Sequence, residues 1–104
     1  MDVKDAMRQV ENAGRTFFHP SREMRQSYLD ARKGELEAFL AFAKGNVWKE
    51  VIVAANHVRG TGAMYGFVNI GDAAEDLAKA IQNGDPKCLD LAFAYADAVS
   101  AAYV

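Results

Sequence analysis

The chain has 104 residues, 51% of them apolar and 25% charged, with a formal net charge of -2, a length that supports one hydrophobic core and leaves no room for a second. Twelve Lys and Arg face fourteen Asp and Glu, and no basic cluster interleaved with aromatics marks a nucleic-acid surface. The single cysteine, Cys88, has no partner for an internal disulfide, and no Cys and His pair has metal-ligand spacing. No apolar run reaches the roughly 20 residues of a membrane span, and the opening residues lack the order of a signal peptide. The expectation is a cytoplasmic single domain over residues 1–104, with no metal, cofactor, nucleic acid or membrane partner.

Periodicity of 3.6 residues and helix stop signals point to helices throughout. Residues 3–13 are expected to form a short first helix with Ala6, Met7 and Val10 on one side, ended by Gly14. Pro20 breaks the pattern, and Ser21 is placed to cap a long helix that runs to about Lys44. Its Tyr28, Leu29, Leu36, Phe39, Leu40 and Ala43 recur at helical spacing, while Arg22, Glu23, Arg32, Lys33 and Glu37 fall mostly elsewhere. Gly45 and Asn46 stop that helix, and Trp48, Val51, Ile52, Ala55 and Val58 stripe the next one, which is expected to end near Tyr65 and Gly66.

Asn69 is a candidate cap for a shorter helix with Ile70, Ala73, Ala74, Leu77 and Ile81 on one face, closed by Asn83 and Gly84. Asp85 followed by Pro86 starts the last helix, with a capping side chain and then proline at the first helical position. Cys88, Leu89, Ala92, Phe93, Ala96, Val99 and Tyr103 are expected inward. Four long helices with short connections favour an all-α, antiparallel up-and-down four-helix bundle with a short extra N-terminal helix.

Residues 54–67, AANHVRGTGAMYGF, stand apart because Gly60 and Gly62 fall within a predicted helix, where each glycine costs about 1 kcal/mol relative to alanine. Two explanations are open: close approach of a neighbouring helix, or open space through which a partner reaches a side chain one turn away. The stretch Val58, Arg59, Gly60, Thr61, Gly62, Ala63, then Gly66 and Phe67, resembles the signature of histidine phosphotransfer (HPt) domains, and Gly45-Asn46 with Trp48 falls where that family carries a turn and an aromatic opening its active helix. The resemblance covers roughly residues 24–104. It implies an HPt-like bundle working in a two-component phosphorelay, docking the receiver domain of a response regulator or a histidine kinase.

At the position where the family carries its phosphorylated histidine, this chain has Asn56, and His57 follows one residue later. One residue on a helix is a rotation of about 100°. A neutral imidazole has a free lone pair for attack on phosphorus, whereas the amide nitrogen of Asn56 has given its lone pair to resonance. The resemblance therefore implies a docking patch of Ile52, Asn56, His57, Arg59, Gly60, Ala63 and Met64 without the usual phosphoacceptor, a pseudo-HPt regulator. His57 reads as a solvated surface residue, as a displaced phosphoacceptor in an active phosphotransfer protein, or as a docking contact. Arg59 reads either as a solvated arginine or as the basic neighbour of the phosphorylated position. A structural or scaffolding bundle is the reading from another class. No nucleophile and base pair marks an independent enzyme, so any catalytic role is at most that of a phosphoryl-group carrier.

Overall fold

A computed structural model describes residues 18–104, so the expected helix at residues 3–13 lies outside the described residues. Helix α1 spans Arg22–Lys44 and starts where expected, because the Ser21 hydroxyl accepts from the Met24 amide at 3.1 Å. Helix α2 spans Trp48–Thr61, α3 Val68–Gln82 and α4 Cys88–Ala101. Among the described residues there are four helices and no strand.

The three connections share one backbone device. After α1, the Val47 amide bonds the Phe42 carbonyl and the Asn46 amide bonds that of Ala43; after α2, Phe67 bonds Gly62 and Gly66 bonds Ala63; after α3, Asp85 bonds Ala80 and Gly84 bonds Ile81. These are Schellman closures. The residue in the left-handed region is Asn46, Gly66 or Gly84 in turn. At the first turn it is therefore Asn46, at φ 59°, and not Gly45, that reverses the chain. Regular α-helix ends at Thr61 rather than at Tyr65 and Gly66, because residues 62–66 wind through the closing turn. The cap of α3 falls at Phe67, not Asn69, and it makes no side-chain hydrogen bond. The last helix starts later than expected: its cap is Lys87, which makes no side-chain hydrogen bond, and Pro86 precedes the helix, while Asp85 Oδ1 accepts from the Lys87 amide at 2.8 Å in the turn before it.

The helices meet in a closed circuit, α1 with α2, α2 with α3, α3 with α4, and α4 with α1. Leu29, Val51, Val58, Ile70, Leu77 and Val99 are fully buried, and a buried side chain of this kind contributes about 1.5–3 kcal/mol. Early α1 lies against late α2, with Tyr28 beside Thr61 and Tyr65. Later in α1, the Phe39 ring lies 4.9 Å from that of Tyr95 of α4, and Lys44 sits over Phe93 at 5.8 Å.

Of the residues expected inward on the last helix, Cys88, Ala92, Ala96 and Val99 are buried, but Leu89, Phe93 and, beyond the helix end, Tyr103 are not. Tyr95 is buried as well. Apolar residues surround α4 on most sides, so its sequence does not single out one buried stripe. Arg32 is a second correction: it lies on the buried side of α1, at 8% exposure. Its guanidinium sits 4.7 Å over the Tyr28 ring and bonds Glu35 through two nitrogens at 2.9 and 3.0 Å. Burial opposes the charge, but these partners outweigh burial and hold the guanidinium pKa above its ordinary value.

Candidate functional site at the end of α2

The stretch from Val58 to Phe67 divides cleanly into residues that build the fold and residues that face outward. Val58 and Phe67 are buried in the core. Gly62 is a contact point between helices: a Cβ there would stand 2.8 Å from the Gly71 nitrogen and 2.9 Å from its Cα. Gly66 holds φ 85° in the closing turn, a region that costs a residue with a Cβ about 1–2 kcal/mol. Gly60 is different, because nothing lies within 4 Å of where its Cβ would be. Of the two explanations open for the helical glycines, close packing applies to Gly62 and open space to Gly60.

Asn56, Arg59 and Gly60 follow the i, i+3, i+4 spacing of one helical face, and they and Ala63, in the turn beyond the helix, are exposed. Ile52, one turn earlier, is half-buried, and Met64 is exposed beyond the end of the helix. His57 is also exposed, but it lines a different place. It borders a groove between α1 and α2 with Ser27, Tyr28, Ala31, Arg32 and Tyr65. Because α2 stays regular through Thr61, His57 keeps its rotation of about 100° from Asn56. The structure thus keeps Asn56, Arg59 and Gly60 on one helical face and sets His57 to one side.

A network that the sequence reading did not include fixes this end of α2. The Tyr28 and Thr61 hydroxyls are 2.8 Å apart, and the Thr61 hydroxyl donates to the His57 carbonyl at 3.0 Å. With its proton committed there, Thr61 accepts from Tyr28. The Tyr28 ring stacks on Tyr65 at 4.4 Å and 9°, and lies 5.9 Å from Phe67 at 12°. Arg25 donates from Nε to the Tyr65 carbonyl at 3.0 Å and sits 5.3 Å over the Phe67 ring. The Arg25 side chain would lie 3.2–3.4 Å from a Cβ on Gly66, so the glycine also makes room for this clasp. The only hint in the sequence was an aromatic pair, Tyr65 and Phe67, flanking a turn glycine; nothing in it pointed to Arg25, some 40 residues away.

Among the described residues no group of three His, Cys, Asp or Glu side chains is placed to hold a metal ion. The described helices include none long and apolar enough to cross a membrane. Cys88 is buried, and its thiol pKa is raised, by desolvation first and by the Asp85 charge second, so it is not the activated thiolate of a nucleophile. Comparison of the chain with family models, with curated proteins and with solved structures finds no match.

Proposed function

We propose that the chain is a pseudo-HPt protein: an antiparallel, up-and-down four-helix bundle that docks a receiver domain or a histidine kinase of a two-component phosphorelay and does not itself carry the phosphate. The observation that carries this reading is Gly60. It costs about 1 kcal/mol in a helix, no packing contact requires it, and it lies one turn from Asn56 on an exposed face. A glycine there leaves room for a partner to approach the side chain at position 56. The antiparallel arrangement is supported by the pairing of early α1 with late α2 through Tyr28 and Thr61. It is supported as well by the cleft that the start of α3, from Phe67 to Ile70, shares with Ala98 and Ala101 at the end of α4.

In this reading Asn56 keeps the polar shape of the docking face and removes its nucleophile. Arg59 supplies a positive charge toward the acidic centre of a receiver, and Ala63 and Met64 supply apolar contact. The test has two arms. Isotope-labelled protein titrated with receiver domains from the same genome is expected to shift at residues 52–64; shifts elsewhere, or none with any receiver or kinase, overturn the proposal. Intact-mass measurement at neutral pH after exposure to phosphorylated receivers is expected to show no adduct. An adduct that disappears in His57→Ala would instead make the protein an active phosphotransfer member using His57.

A further inference from the structure

Phe18, the first described residue, packs edge to face on the Tyr65 ring at 5.8 Å and 84°, and Tyr65 in turn stacks on Tyr28. Residues 1–17 therefore join the fold at one end of the open groove between α1 and α2. The apolar surface of that groove is made by Met24, Tyr28, Ala31 and Tyr65, and Glu23, Ser27 and His57 belong to its polar lining. Arg32 lines it too, but is already committed to Glu35 and to the Tyr28 ring. Met24 is 44% exposed and Tyr65 only half-buried, the kind of uncovered apolar surface that marks a contact site.

The residues before Phe18 fit this groove in pattern and in length. Val3, Ala6, Met7, Val10 and Ala13 recur at the spacing of one helical face, with Asp5, Arg8 and Asn12 opposite. A helix over residues 3–13 is roughly 16 Å long, and α1 advances about 10 Å from Met24 to Ala31. Residues 14–17 reach up to about 13 Å when extended, enough to bridge the 8–10 Å typical between packed helices. The neighbouring surfaces offer no comparable seat: the next strip of α1 presents Arg22, Gln26 and Asp30, and the outer face of α2 presents Asn56, Arg59 and Gly60.

We propose that residues 3–13 dock in this groove as an amphipathic helix antiparallel to α1, with Ala13 toward Tyr65 and Val3 toward Ala31. Burial of the stripe removes its own apolar surface and that of Met24 and Tyr65 from water. The docked segment covers the flank that carries His57 and leaves the face of Asn56, Arg59 and Gly60 free for a partner.

The test is a set of nuclear Overhauser measurements on the full chain, with a mixture of labelled and unlabelled protein to separate contacts within one chain from contacts between two. Cross-peaks within one chain are expected from the Met7 and Val10 methyls to Met24, Ala31 and the Tyr65 ring. Val10→Asp is expected to abolish them, to shift the amides of residues 24–31, 57 and 65, and to lower exchange protection of amides 6–13 at least about tenfold. Asn12→Asp adds the same charge on the opposite side of the segment and is expected to leave all three readouts unchanged. Cross-peaks that arise only between chains would give the groove to a second copy. Cross-peaks to another surface, or none in the parent chain, would leave the groove without this segment. Each of these results, like equal effects of the two substitutions, overturns the proposal.

Discussion

The Tyr28 hydroxyl lies 2.8 Å from the Thr61 hydroxyl across a separation of 33 residues, and Thr61 in turn donates to the His57 carbonyl. The start of α1 is thus hydrogen-bonded to the last turn of α2, which carries Gly60 and follows the turn that carries Asn56. Tyr28→Phe keeps the ring that stacks on Tyr65 and removes the hydroxyl. It is expected to cost about 1 kcal/mol in urea denaturation. Thr61→Val leaves the part-buried Tyr28 hydroxyl without its partner and is expected to cost about 1–2 kcal/mol. The two losses act on one bond, so the double variant is expected to lose less than their sum; strict additivity would mean that the contact contributes nothing.

Gly60 and Gly62 are two residues apart and are expected to respond to alanine in opposite directions. Gly60→Ala adds a methyl to open space and removes the entropic penalty of glycine, so it is expected to stabilise by up to about 1 kcal/mol. The same variant is expected to weaken receiver docking, since the methyl occupies the approach to Asn56. Gly62→Ala drives a Cβ against the Gly71 backbone and is expected to destabilise by about 1–3 kcal/mol. Thermal unfolding of both variants reads the two signs directly. A Gly60→Ala protein no more stable than the parent would mean that this glycine is required by the fold, which removes the main support for the docking reading.

Much of the fold was legible because local signals and tertiary packing agree. Ser21 caps α1, and the stripes Val51, Ala55, Val58 and Ile70, Ala74, Leu77 are buried as spaced. The misreadings have physical causes. In α4 only Asp90, Asp97 and Ser100 are polar, so the apolar pattern is nearly all-round and its orientation is set by Tyr95 meeting Phe39, a long-range contact that periodicity does not encode. Arg32 stands four residues from both Tyr28 and Leu36, and its planar guanidinium and long stem are compatible with burial once Glu35 and the Tyr28 ring are in reach. At the site, the sequence marked Asn56, Arg59 and Gly60 as neighbours through helical spacing. It had no means of telling that Gly62 packs against Gly71 while Gly60 stands open, because that difference depends on which side α3 approaches.

Arg32 supplies a further prediction. Arg32→Met keeps much of the apolar stem over Tyr28 and removes a charge whose partner, Glu35, retains access to water, with a side chain 54% exposed. Arg32→Ala loses the stem and the stacking as well. Loss of stability is expected to be about 1–2 kcal/mol for Ala and clearly smaller for Met, as measured by chemical denaturation. Equal losses in the two variants would locate the contribution in the charge rather than in packing on the aromatic ring.

Tyr95 gives the chain a specific sensitivity to alkali. Burial pushes its phenol pKa well above the ordinary value, against a smaller opposing influence from Arg32. The ordinary phenol pKa is about 10, so above that pH the unfolded chain releases a proton that the folded chain retains. The unfolded state then binds fewer protons, and stability falls as pH rises. The contribution is intact below about pH 9 and declines progressively above about pH 10, until the folded-state phenol also ionises. Tyr95→Phe has no proton to release at this position. Denaturation midpoints between about pH 8 and pH 11 are therefore expected to fall less steeply in the variant than in the parent. Equal slopes would show that the Tyr95 hydroxyl ionises in the folded state as readily as in the unfolded chain.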